Sequence, residues 1–249
     1  MKANRLKILG VPVDSYDSTE ELLRDIEVSM IDSKTRTIFS VNPEKVMRAR
    51  KDPLLFEALN NSDFLIPDGI GVVFAIKFLY KKMVTRIAGV DLMRLLLRNA
   101  EKKGYRVYIF GARPDVNKKA IDTIKENFFS LTIAGSSHGY INDDHHESLI
   151  DDINSTQPDI LFVGLGSPKQ ENWIFDHKHL IKVKLCMGIG GSLDVIAGHI
   201  KRAPSVLRRL GLEWLYRLLR EPSRFRRQLV LPQFFFEVLK KVSSDRSSS

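Results

Sequence analysis

One cysteine among 249 residues leaves nothing to pair with in a disulfide. A secreted scaffold stapled by bridges is therefore excluded, and one sulfur is too few for a cysteine-rich zinc cluster. Cys186 lies in the apolar run 183–187 and reads as a buried core thiol rather than a nucleophile. Long hydrophobic runs are missing too, since none approaches the roughly 18 residues of a membrane-spanning helix. Residues 1–5 precede only a short apolar segment, unlike a secretory signal peptide, so the expected location is the cytoplasm. Signatures of several chemistries are also absent. The chain has no Asp-X-Asp triplet to grip a metal-bound nucleotide sugar and no Gly-Lys-Ser/Thr phosphate loop.

What is present suffices for a full core, with 43% hydrophobic residues. The formal charge of +9 is unevenly placed. Residues 198–249 hold twelve Lys/Arg and four Asp/Glu, a net of +8, while the preceding 197 hold 27 basic and 26 acidic. A neutral body with a basic tail points to a polyanionic partner for the tail alone. Short apolar runs at 6–13, 35–41, 64–66, 106–110, 131–134, 160–163 and 183–187 read as strands. Helical stretches separate most of them. The expected fold is α/β: a Rossmann-like, mainly parallel sheet flanked by helices, with a C-terminal basic amphipathic helical appendage. We divide it as residues 1–197, the catalytic domain, and 198–249, a membrane-associating appendage whose Ser-rich end should be disordered.

Asp68 stands where the strand 64–66 stops at Pro67 and a helix begins after Gly69. Open α/β sheets bind ligands at that edge. The bland alternative is that Asp68 merely caps the helix. Three further loops follow strands: Gly111-Ala112-Arg113-Pro114, the run from Gly164 to Glu171 that includes Gly166 and Lys169, and Gly188-Ile189-Gly190-Gly191-Ser192. Glycine lets backbone N–H groups approach a phosphate closely, so together these loops suggest a phosphate-bearing ligand. Ser167 and Gln170 have the spacing of a capping box, which offers Gln170 a purely structural role. Asp143-Asp144-His145-His146 supplies four possible metal ligands, but neighbouring positions at a helix start diverge, and a solvated acidic turn explains them. Trp173 and its apolar neighbours read as core.

Six ordered motifs then carry a resemblance: Ser40-Val41-Asn42-Pro43-Glu44, Pro67-Asp68-Gly69-Ile70-Gly71, Arg86-Ile87-Ala88-Gly89-Val90-Asp91, Gly166-Ser167-Pro168-Lys169-Gln170-Glu171, Lys201-Arg202-Ala203-Pro204, and the run from Gly211 to Leu219. The chain resembles the WecG/TagA/CpsF family of bacterial glycosyltransferases from about residue 6 to 240. The resemblance implies inverting, metal-independent sugar transfer without a cofactor. The donor would be a UDP-sugar, most often UDP-N-acetylmannosamine or its uronic acid. The acceptor would be a polyprenyl-diphosphate-linked sugar, undecaprenyl-diphosphate-linked N-acetylglucosamine being the expectation here. Products of such enzymes serve wall teichoic acid or surface polysaccharide synthesis. Asp68 matches the family's proposed base, and Arg86 and Gln170 match its other catalytic positions. Expected substrate-binding residues are Ser40, Asn42, Gly111, Gly166, Lys169, Gly190, Gly191, Arg217, Arg224 and Arg227, with no metal ligands. Many members have threonine where this chain has Ser40, which keeps the hydroxyl and loses a methyl.

In the tail, Leu207, Leu210, Trp214, Leu215 and Leu218 follow helical spacing among arginines, and Phe234-Phe235-Phe236 adds an aromatic cluster. That pattern fits an interfacial segment at the inner face of the cell membrane. A core-packing helix with a solvated basic face is the plainer reading, and no nucleic-acid motif is present. Two other functions compete: a nucleotide-binding oxidoreductase, which the missing third glycine of Gly164-Leu165-Gly166 disfavours, and a non-catalytic basic membrane adaptor. A homo-oligomer is left open.

Overall fold

A computed structural model describes residues 4–142, 145–220 and 229–247. The chain opens on an antiparallel hairpin, β1 (Asn4–Ile8) and β2 (Val11–Ser15), where one continuous strand was expected. The turn that breaks it is Leu9-Gly10, with φ of 50° and 90°. Two successive positive φ values suit a tight hairpin, and glycine tolerates the second freely. Helix α1 (Thr19–Ser29) follows, and Ser18 Oγ accepts from the Glu21 N–H at 3.1 Å as its capping spacing predicts.

The main sheet is wholly parallel, as the alternation of strands and helices predicts. It comprises β3 (Arg36–Val41), β4 (Phe64–Pro67), β5 (Arg106–Gly111), β6 (Thr132–Ser137), β7 (Ile160–Gly164) and β8 (Leu185–Gly188), in the spatial order β4-β3-β8-β7-β5-β6. Between β3 and β4 run α2 (Pro43–Ala49) and α3 (Pro53–Asn60); between β4 and β5 run α4 (Ile70–Tyr80) and α5 (Gly89–Lys103). Then α6 (Pro114–Asn127), α7 (His146–Ser155) and α8 (Lys169–His177) alternate with the remaining strands. After β8 come α9 (Ser192–Ile196), α10 (Ser205–Arg209), α11 (Glu213–Arg220) and α12 (Val230–Ser247).

Strand residues alternate between two cores, as the period of two requires. Phe39, Leu65, Tyr108, Phe110, Leu161, Val163 and Cys186 join one; Ile38, Phe64, Ile66, Ile109, Phe162 and Met187 join the other. Cys186 is therefore the buried core thiol expected, and burial pushes its pKa up. Trp173 is also core, tilted against Phe110 with ring centres 5.0 Å apart.

The tail departs from expectation in two places. The helix read from Leu207 onward is two short ones, broken at Gly211, whose φ is +74°. A Cβ at Gly211 would come within 2.9 Å of Ile70, so glycine lets this turn lie against the start of α4. In the aromatic cluster, Phe234 is 0% exposed and belongs to the first core with Val238, while Phe235 and Phe236 stay partly or largely exposed. Helix α12 packs on α2 and α4. No helix among the described residues is long and apolar enough to cross a membrane.

Candidate active site

From β3 the chain moves outward to β4, and from β5 outward to β6, so the winding reverses over β8 and β7 between them. Loops at the carboxyl ends of β3, β4, β7 and β8 gather at this reversal, where such sheets bind ligands. Asp68 leaves β4 there, its N–H bonded to Val41 O at 2.8 Å. It does not cap α4: the N-cap is Gly69, with φ of 94° and no side-chain cap bond. The carboxylate points elsewhere. Asp68 Oδ2 lies 3.5 Å from the Gly89 nitrogen, and a methyl built on Gly89 would sit 3.9 Å from that oxygen and 4.0 Å from Ser40 Oγ. Ser40, Asp68 and Gly89 thus enclose one small space at the strand exits. The Ile87 N–H donates to Pro67 O at 2.9 Å, which brings the loop carrying Arg86 to the same exit.

Gln170 occupies a different role from a freely presented amide. It is 2% exposed; its Oε1 accepts from the Gly190 N–H at 2.7 Å and its Nε2 donates to Glu171 Oε1 at 2.8 Å. The same carboxylate oxygen accepts from Lys45 Nζ at 2.6 Å, in an ion pair buried on both sides. This chain of bonds fastens the start of α2, the start of α8 and the glycine loop after β8 to one another. The expected Ser167–Gln170 capping box is not formed. Pro168 is the N-cap of α8, and Ser167 Oγ is buried without a partner among the described residues.

Breaking a buried pair leaves an uncompensated charge, and here it would also release Gln170. Lys45→Met is expected to lower stability by about 3–5 kcal/mol in urea unfolding. The double change Lys45→Met, Glu171→Leu should recover most of that loss. If Lys45→Met alone proved neutral, the pair would not hold these loops.

The other expected binding residues sort by geometry. Gly166 and Gly190 have φ of +75° and +53°, and a Cβ at either would meet no described residue within 4 Å, so among the described residues both backbones border open space. Among the described residues a Cβ at Gly191 would meet only Asp194 Oδ2, at 3.7 Å, and Lys169 is exposed at the start of α8. Gly111 is a packing glycine instead: a Cβ there would lie 2.4 Å from Gly164 O. Asn42 uses its Oδ1 to cap α2, accepting from the Lys45 N–H at 2.8 Å. Arg217 lies in α11 with its side chain outside the described atoms, and Arg224 and Arg227 fall outside the described residues altogether. So do Asp143 and Asp144. Among the described residues no group of three or more metal-ligand side chains converges.

One part of the site has no local sequence signal. Glu213, 8% exposed at the start of α11, sits with Oε2 4.0 Å from Arg86 Nη1 and Oε1 3.7 Å from Arg202 Nε. Arg202 in turn grips Asp91 on α5 with two bonds, of 2.5 and 2.9 Å. Burial would raise the Asp91 pKa, but the hydrogen bonds and charge of Arg202 outweigh it, aided by Arg208 and Arg94, and the net shift is downward. A depressed carboxylate lends stability above its ordinary pKa and loses it only as the pH falls through the lowered value. The clamp between the tail and the body therefore survives mild acid.

A parallel α/β sheet that presents a carboxylate, an arginine loop and open glycine backbones over its winding reversal has the layout of a ligand-binding α/β fold. Comparison with known proteins makes the assignment. The chain matches the model of the glycosyl transferase WecG/TagA/CpsF family over residues 6–248, and it belongs to that family. Two relatives are each called N-acetylglucosaminyldiphosphoundecaprenol N-acetyl-beta-D-mannosaminyltransferase. The one from Bacillus spizizenii (strain W23) is 39% identical over 234 residues, 92% of this chain and 90% of its own. The one from Bacillus subtilis (strain 168) is 40% identical over 223 residues, 89% of this chain and 86% of its own. The protein is a glycosyltransferase.

Proposed function

We propose that the protein transfers N-acetylmannosamine, or its uronic acid, from a UDP-sugar to undecaprenyl-diphosphate-linked N-acetylglucosamine. The product would serve wall teichoic acid or surface polysaccharide synthesis. The carrying observation is the Asp68 carboxylate, which leaves α4 uncapped and instead shares a small space with Ser40 and Gly89. The names of the two Bacillus relatives support the acceptor and the transferred sugar. Asp68 takes the proton of the acceptor hydroxyl as its oxygen bonds to the anomeric carbon. The bond from that carbon to the diphosphate breaks on the opposite face, so the configuration inverts, and UDP leaves with the electron pair. Arg86 and the N–H groups at Gly166 and Gly191 meet the charge that develops on the diphosphate, the Gly190 N–H being held by Gln170. Gln170 is a positioning residue in this scheme, holding the Gly190 loop. Residues 1–197 perform the chemistry, and residues 198–249 bring the site to the inner membrane surface and supply Arg217, Arg224 and Arg227.

The test is UDP release from a panel of UDP-sugars, with a short-chain prenyl-diphosphate N-acetylglucosamine as acceptor. UDP-N-acetylmannosamine or its uronic acid should support turnover above acceptor-free hydrolysis, and the product linkage should be inverted. EDTA should leave the rate unchanged, because the sequence offers no Asp-X-Asp grip for a metal-bound donor. Acceptor-independent release with every donor, or rates lost on chelation and restored by Mn²⁺, would overturn the corresponding part.

A further inference from the structure

The body carries its own aromatic and basic stripe, outside the tail. On α4, Phe74 and Phe78 are 43% and 46% exposed, and Lys77 and Lys81 beside them are exposed too. Their spacing of three, four and seven residues puts all four on one side of the helix. Residues 70–83 contain no acidic side chain. Gly71, three residues before Phe74, lies on the same side, and a Cβ there would sit 3.8 Å from the Phe235 ring of α12. The stripe is therefore continued by Phe235, and α12 adds exposed Phe236 (66%), Leu239 and Lys240. The carboxylate of Glu237 does not oppose it, being drawn to Arg50 at 3.2 Å.

We infer that the α4 face, together with the exposed side of α12, lies on an anionic lipid surface. Singly exposed apolar side chains are ordinary on proteins, but a joined aromatic row flanked only by lysines is the pattern of an in-plane interfacial helix. The rings enter the boundary between head groups and acyl chains, and the lysine stems let their ammonium groups reach the phosphates. This inference rests on the lipid-linked acceptor of the proposed function and adds to it. Helix α4 starts two residues after Asp68. With α4 in the membrane plane, the base sits at the depth of the head groups, where an acceptor's diphosphate and first sugar lie.

Sedimentation of the full chain with phosphatidylglycerol-containing vesicles tests it, since no substrate is involved. Phe74→Ser with Phe78→Ser, tail intact, should lower the partition onto these vesicles by about tenfold. Lys77→Glu with Lys81→Glu alters only exposed side chains; it should lower binding comparably, and added salt should mimic it. Neutral phosphatidylcholine vesicles should bind the unaltered chain less. Both double variants should keep UDP release with a water-soluble acceptor. Unchanged vesicle binding in the folded lysine variant would overturn the inference. So would a dimer of the unaltered chain that the phenylalanine changes dissociate while vesicle binding persists, which would assign the face to a second copy. Loss of turnover by the unaltered chain on the soluble acceptor would sink the transferase reading alone.

Discussion

Replacing Asp68 with asparagine is expected to cut turnover by about 10²- to 10⁴-fold, the usual worth of a general base, with donor affinity nearly unchanged. Asparagine keeps the size and a hydrogen-bonding oxygen, so the backbone bond of residue 68 to Val41 and the turn at Gly69 should persist. What it loses is the capacity to accept a proton. The split between turnover and donor binding matters because a capping aspartate would behave differently. Removing a cap lowers stability by about 0.5–2 kcal/mol and leaves chemistry alone. The absence of any side-chain cap bond on α4 already argues against that role. Isothermal titration with UDP, set beside initial rates of UDP release, separates the two. Near-normal turnover with a lowered melting temperature would return Asp68 to structure. A companion change, Ser40→Ala, should act more weakly, since its hydroxyl only borders the space the carboxylate faces.

Much of this site could be read from local sequence, and what could not has physical reasons. Asn42-Pro43 announced the start of α2 because a side-chain cap and a proline at the first turn are local devices, and both are present. Asp68 was legible as a carboxylate at a strand exit, but its freedom from the cap depends on the φ of Gly69, which the residue letters do not reveal. The opening hairpin was missed because its turn uses Leu9, an apolar residue at positive φ, inside what looked like one apolar run. Ser167 and Gln170 had the right spacing for a box, yet Gln170 turns inward to Gly190 and Glu171. That choice is set by Lys45, which lies 126 residues away from Glu171 in sequence. Glu213 was equally invisible. Its partners Arg86 and Arg202 come from separate segments, and only packing of the tail on α4 and α5 unites them. Phe234 read as one of three interfacial aromatics because its neighbours are exposed and helical periodicity in so short a run leaves its direction open.

The second large effect concerns Arg86. Arg86→Ala is expected to lower kcat/KM by about 10²- to 10³-fold, the usual cost of removing one donor aimed at developing charge. Arg86→Lys should fall between, since it keeps the charge and loses the planar fork that meets a diphosphate with two bonds. The competing view is that Arg86 merely anchors the tail through Glu213, whose carboxylate lies between Arg86 and Arg202. Glu213→Gln distinguishes the two views, because it weakens that anchor while leaving the Arg86 guanidinium in place. An anchor alone predicts matching losses from Arg86→Ala and Glu213→Gln, in melting temperature and in rate. A direct electrostatic role predicts a much larger rate loss from Arg86→Ala, shared by lipid-linked and water-soluble acceptors alike. The Glu213→Gln loss should be smaller, because Arg202 still holds Asp91 with two bonds and keeps the tail on the body. Equal rate losses in the two variants would make Arg86 a structural tether and leave the departing diphosphate to the glycine loops and the tail arginines.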